Sequence, residues 1–64
     1  MPTLITTPNL PDPDGVFEAL MNAHRDLDHT TSRQLDAKLV LLLANHIGDP
    51  EIVKQAIKEA LLFL

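Results

Sequence analysis

The sequence predicts an all-α protein in which a short extended N-terminal arm precedes three helices in an up-down-up arrangement. Apolar residues recur at spacings of three and four, as on one face of a helix. Asp-Pro pairs at residues 12–13 and 49–50 are typical helix starts. Gly48 precedes the second pair, where a glycine can end a helix. A chain of 64 residues forms one domain. We therefore expect an arm over residues 1–11 and a single three-helix domain over residues 12–64.

The arm, MPTLITTPNLP, contains three of the five prolines. Each proline removes a backbone donor and favours an extended conformation of the residue before it. Two alternatives remain open. Leu4, Ile5 and Leu10 pin the arm to the helices or to a neighbouring chain, or the terminus is partly disordered.

Helix 1 is predicted over about residues 13–27, with Asp12 as its cap. Phe17, Leu20, His24 and Leu27 share one face and are expected to point inward. A short connection at residues 28–31 makes helices 1 and 2 antiparallel neighbours. Helix 2 is capped either by Asp28 or by a capping box of Thr31 and Gln34.

Helix 2 is predicted over about residues 30–47 and is apolar around most of its circumference. One stripe consists of Leu35, Leu39, Leu42 and His46, with Leu43 and Ile47 beside it. A second stripe, on nearly the opposite side, consists of Ala37, Val40, Leu41 and Ala44. A helix that is apolar on nearly all sides has to be buried on nearly all sides.

Helix 3 is predicted over about residues 50–63. The residues expected to point inward are Ile52, Val53, Ala56, Ile57, Ala60, Leu61 and Leu64. Those expected to face water are Glu51, Lys54, Gln55, Lys58 and Glu59. The final residues Leu61, Leu62, Phe63 and Leu64 are apolar on every side, so we expect this end to dock against another surface.

This much apolar surface exceeds what two flanking helices can cover, and a large exposed apolar patch usually marks an interaction site. The predicted interaction surface consists of Ala37, Val40, Leu41, Ala44, Leu61, Leu62, Phe63 and Leu64. The expected partner is a second copy of the chain or another protein. The alternative is that a compact bundle and the arm hide all of these residues.

Four polar residues are candidates for chemistry, and each is better explained by a structural role. His24 and His46 lie more than ~10 Å apart along antiparallel helices, too far to share a metal ion. Asp36 is expected to pair with Arg33, Arg25 or His24. Asp49 caps helix 3. We therefore predict no catalytic residue, no cofactor and no metal site, and no enzymatic activity.

Composition and charge exclude several other classes. The net charge is −4 and the pI about 5.0, which disfavours nucleic acid, because phosphate binding needs a basic face. Residues 39–44 are too few to span a bilayer, and no signal peptide is evident. A soluble cytoplasmic protein is expected. Two alternatives are kept: a small DNA-binding regulator that uses helix 3, and a ligand- or metal-binding protein with a site around His46 at an oligomer interface.

Three segments carry a resemblance: PNLPDPDGVF at residues 8–17, AHRDL at 23–27 and LDAKLVLLLANHIGDP at 35–50. Together they resemble a bacterial domain family of unknown function made of short, acidic, all-helical proteins. Asp36 and Lys38 stand where such relatives carry Asn and Arg, and Val16-Phe17 where an aromatic pair is typical. Relatives of this kind tend to be encoded beside flavin-dependent oxygenases and other enzymes that degrade aromatic compounds. The resemblance therefore implies a small accessory subunit or a protein that binds such an enzyme.

Overall fold

A computed structural model describes residues 3–64 of the chain. Residues 3–12 adopt neither helix nor strand, and three helices follow: α1 (Pro13–His24), α2 (His29–Ile47) and α3 (Pro50–Leu61). The described range contains no strand. The prediction of an all-α chain with a short N-terminal region before three helices is confirmed. Met1 and Pro2, the first residues of the predicted arm, lie outside the described residues.

Each helix begins at an aspartate whose carboxylate accepts a hydrogen bond from a free backbone N–H group of the first turn. The N–H groups of Gly15, Thr31 and Glu51 donate to Asp12, Asp28 and Asp49 at 3.0, 2.8 and 2.9 Å respectively. Asp28, and not a Thr31–Gln34 capping box, therefore starts α2. The starts of α1 and α3 lie at the predicted prolines, whose missing N–H costs nothing at the first helical position.

The helix ends follow prediction only where a glycine is present. Gly48 adopts a left-handed conformation with φ of 73°, and its N–H donates to the Ala44 carbonyl at 3.0 Å, which closes α2. By contrast, α1 ends at His24 and α3 at Leu61, earlier than the predicted residues 27 and 63. Neither end carries a glycine, so the chain leaves the helix through tighter turns. The Leu27 N–H donates to the His24 carbonyl at 3.1 Å.

Short connections bring the helices together. Gly48 and Asp49 join α2 to α3 as an antiparallel hairpin, and residues 25–28 join α1 to α2. The N-terminal segment also contacts α3, because the Leu4 N–H donates to the Gln55 side-chain oxygen at 2.9 Å. This contact explains why Gln55, predicted to face water, is half-buried.

None of the described residues is buried. Several side chains predicted to point inward are well exposed, among them Phe17 (63%), Leu42 (61%), Ile57 (54%), Leu61 (60%) and Leu64 (99%). The best covered apolar residues are only half-buried: Leu4, Leu27, Leu35, Leu39, Ala44, Ile52, Val53 and Ala56. The radius of gyration is 13.3 Å, whereas a compact domain of this length has about 11 Å. The helices form a hairpin and a flanking helix without a closed core.

Candidate interaction surface

The middle of α2 presents apolar side chains to solvent. From Leu39 to Gly48 the chain has no acidic residue and no Lys or Arg. Leu41 is 71% exposed and Leu42, on a different side of the helix, is 61% exposed. The burial that this composition requires is therefore not provided by the chain's own helices.

A groove runs between α2 and α3. It has a volume of about 280 Å³. We call it the α2–α3 groove. Its lining residues are Val40, Leu43, Ala44, Ile47, Val53, Ala56, Ile57 and Ala60. Every lining side chain is apolar, and three of the eight are alanines that keep the groove open. The groove offers apolar, uncharged surface, and its lining includes no polar side chain that could orient a substrate.

The structure separates the predicted interaction residues into three places. Val40 and Ala44 line the α2–α3 groove. Ala37 and Leu41 are exposed on α2 outside it. The end of α3 and the residues after it project into solvent, with exposures of 60, 76, 81 and 99% for Leu61, Leu62, Phe63 and Leu64.

Six groove residues were not in the predicted surface: Leu43, Ile47, Val53, Ala56, Ile57 and Ala60. Leu43 and Ile47 were expected beside one stripe of α2, and Val40 and Ala44 on a stripe nearly opposite. The structure corrects this division, because all four line one groove and lie within about 100° of one another around the helix. Spacing alone could not show that α2 and α3 leave a gap between them. The missed signal was the pair Ala56 and Ala60, four residues apart on α3, whose side chains are too small to fill the space opposite α2.

Gly48 and Asp49, at the α2–α3 turn, complete the backbone hydrogen bonding of the two helix ends. Asn45, Gly48 and Asp49 border a second depression of about 580 Å³, which also includes Lys54. The Asp49 carboxylate accepts from the Glu51 N–H, and Gly48 closes α2. His46, in the last turn of α2, is exposed and does not line this depression. The arrangement stops one helix and starts the next.

His24 joins α1 to α2. Its Nδ1 lies 2.7 Å from the Leu20 carbonyl oxygen and its Nε2 lies 2.6 Å from Asp36 Oδ1. Both neighbours are acceptors, so both ring nitrogens can donate only when the imidazole is protonated. The hydrogen bond to the Leu20 carbonyl, and then that to Asp36, raise the pKa of His24 above its ordinary value of 6.5. Of the three partners predicted for Asp36, the structure places His24 beside it.

Charges on the outer side of α3 partly cancel. Lys54 Nζ lies 3.5 Å from Glu51 Oε1, one helical turn away, and both side chains are exposed. Such a pair contributes little stability, but it reduces the positive charge that α3 could offer to a phosphate backbone.

Within residues 3–64, no group of three or more His, Cys, Asp or Glu side chains is placed to hold a metal ion. No helix in that range combines the length and apolar character needed to cross a bilayer.

Residues 4–61 match the sequence pattern of a family described as proteins of unknown function, DUF2783. The chain belongs to this family. The DUF2783 match includes all three helices, the α2–α3 groove and the contact of Leu4 with Gln55. No curated protein and no solved structure shows a significant match to the chain.

Proposed function

We propose that this chain is a non-catalytic helical interaction module whose apolar helices are completed by another protein chain. The accessible surface supports this proposal. The chain exposes 5944 Å², whereas a folded monomer of its 7.1 kDa mass exposes about 4,100 Å². The difference, about 1,800 Å², is more than one partner's share of a standard protein–protein interface, which is about 800 Å².

The character of that surface favours a protein partner over other ligands. Its exposed residues include Leu41, Leu42 and Phe63, which cost free energy in water and gain it on burial. The α2–α3 groove is lined by apolar side chains alone and lacks the few polar groups that orient a ligand in a small-molecule site. The chain's net charge of −4 and the Glu51–Lys54 pair favour protein over DNA.

Self-association is the preferred form of this proposal, and an accessory subunit of a larger enzyme is the second. The second form draws on the resemblance to relatives encoded beside flavin-dependent oxygenases. In both forms the chain supplies binding surface and no catalytic group. The two forms differ in what buries the apolar surface: further copies of the chain in the first, and a different protein in the second.

Light scattering of the purified chain tests the proposal. We expect a mass above the 7.1 kDa of one chain, falling toward that value on dilution. Leu43→Glu, at a side chain that is 54% exposed and lines the α2–α3 groove, should weaken the association because it places a charge in an apolar interface. Gln34→Glu, which adds the same charge at an exposed polar residue of α2, is the matched control and should leave the mass unchanged.

Thermal unfolding followed by circular dichroism separates the remaining outcomes. A chain that stays at 7.1 kDa and melts without a cooperative transition supports the accessory-subunit form. A chain of that mass that melts cooperatively at every concentration needs no partner, and the proposal would be wrong.

A further inference from the structure

We propose that the α2–α3 groove is the contact between two copies of this chain, so that two α2–α3 hairpins pack face to face into a four-helix bundle. This inference rests on the proposed function and specifies which partner occupies the groove. It assigns the groove to side chains of a second copy and not to a small molecule or an unrelated protein.

The area to be covered matches what a stable dimer requires. Obligate homodimers bury roughly 2,000–5,000 Å² in total, which is about half that per chain. The surface that this chain exposes beyond a compact monomer of its mass, about 1,800 Å², lies within that share. A two-fold symmetric pair would cover the same area on both copies.

The groove and its surroundings are also complementary to themselves. Ala44, Ala56 and Ala60 leave room between the helices. The same faces carry large, half-exposed side chains, Val40 at 56%, Leu43 at 54% and Ile57 at 54%. In a symmetric contact the large side chains of each copy can enter the space beside the alanines of the other, as in helix bundles.

Charge does not oppose this contact locally. Each chain carries a net charge of −4, so two copies repel each other at long range. The α2 half of the groove lies within the stretch from Leu39 to Gly48, which has no acidic or basic residue except His46. No residue that lines the groove is charged, although Ile57 also borders a depression lined by Glu51, Lys54 and Lys58. The repulsion therefore comes from charges outside the groove lining, which salt screens over about 10 Å at 0.1 M.

Sedimentation analysis of two matched variants tests the assignment. Ile57→Glu adds a charge inside the groove at a residue that is 54% exposed, and Met21→Glu adds the same charge on α1 at a residue that is 56% exposed. We expect Ile57→Glu to weaken dimerisation at least tenfold and Met21→Glu to change it less than threefold. Added salt should tighten the wild-type dimer, because it screens like charges.

A second measurement remains informative if Ile57→Glu fails to fold. The natural chain has no cysteine, so Ile57→Cys and Met21→Cys each introduce a single thiol. Alkylation of Cys at position 57 should slow several-fold as the concentration rises through the dimerisation range, while alkylation at position 21 should keep its rate.

The results distinguish the inference from the function on which it rests. If the wild type dimerises but Met21→Glu disrupts it and Ile57→Glu does not, association stands and the groove assignment is wrong. Equal alkylation rates at position 57 across that range would also overturn the assignment. A wild type that is monomeric at all concentrations removes self-docking altogether, and its melting behaviour then decides whether the interaction module survives.

Discussion

At the scale of single residues, His24 carries the most specific side-chain interaction between helices. It contacts Leu20 within its own helix and Asp36 on α2, at 2.7 and 2.6 Å. Because both contacts favour the protonated ring, its pKa is raised in the folded chain. A group with a raised folded pKa contributes stability that is fully present below its unfolded pKa and is lost as the pH rises through the folded pKa.

NMR titration of the histidine ring protons should therefore give His24 a pKa above 6.5. Asp36→Asn should lower that pKa only in part, since the larger contribution comes from the Leu20 carbonyl. The melting temperature should fall as the pH rises through the His24 pKa, and His24→Gln should flatten that dependence. A His24 that titrates at or below 6.5 would contradict the hydrogen-bonding pattern.

At the scale of elements, the sequence predicted the helix boundaries that depend on interactions between residues close together in the chain. The caps Asp12 and Asp49, the prolines after them and Gly48 each act on backbone groups within a few residues, so α1 and α3 begin where expected. The end of α1 at His24 depends on the turn into Asp28, and no stop signal marks it. Two candidate caps of α2 were equally consistent with the sequence, and only the backbone geometry selects Asp28.

Gly48 offers a test at this scale. With φ at 73°, it occupies a region that residues with a side chain rarely adopt. An added Cβ would meet only the Asn45 carbonyl oxygen, at 3.9 Å, so space is not the obstacle. Gly48→Ala should destabilise the chain by about 1–2 kcal/mol through backbone strain, and lower the melting temperature by roughly 4–8 °C per kcal/mol.

The control for this prediction is Gly48→Asn, compared at the same protein concentration. Asn tolerates the left-handed conformation better than Ala, so its melting temperature should lie between those of Gly48→Ala and the wild type. An unchanged melting temperature in Gly48→Ala would show that the α2–α3 turn relaxes at no cost.

At the scale of the whole molecule, the class of fold could be predicted but the distribution of burial could not. Helical periodicity identifies which residues share a face, and on this basis Phe17, Leu42 and Ile57 were expected inside. Whether a face is covered depends on how far neighbouring helices stand apart, which no local pattern records. The surplus of apolar surface was nevertheless visible in α2, where too few polar residues remain to face water.

Stability should depend on concentration if another copy covers that surface. Association with the folded state stabilises it by mass action, and a tenfold change in concentration corresponds to about 1.4 kcal/mol. Calorimetry over a hundredfold range of chain concentration should therefore show a rising melting temperature in the wild type. Ile57→Glu should show a lower melting temperature at the same concentrations. A melting temperature independent of concentration would contradict self-association.

Because none of residues 3–64 is buried, the lifetime of this protein would depend on its own concentration. If the chain dimerises as proposed, most copies are monomers when the chain concentration is below the dissociation constant. A monomer has a small free energy of unfolding and is open to proteolysis, which acts on the unfolded fraction. When the chain concentration is above the dissociation constant, most copies are paired and thereby protected. The amount of functional protein would then respond to synthesis as a threshold, with excess dilute chain removed and paired chain retained.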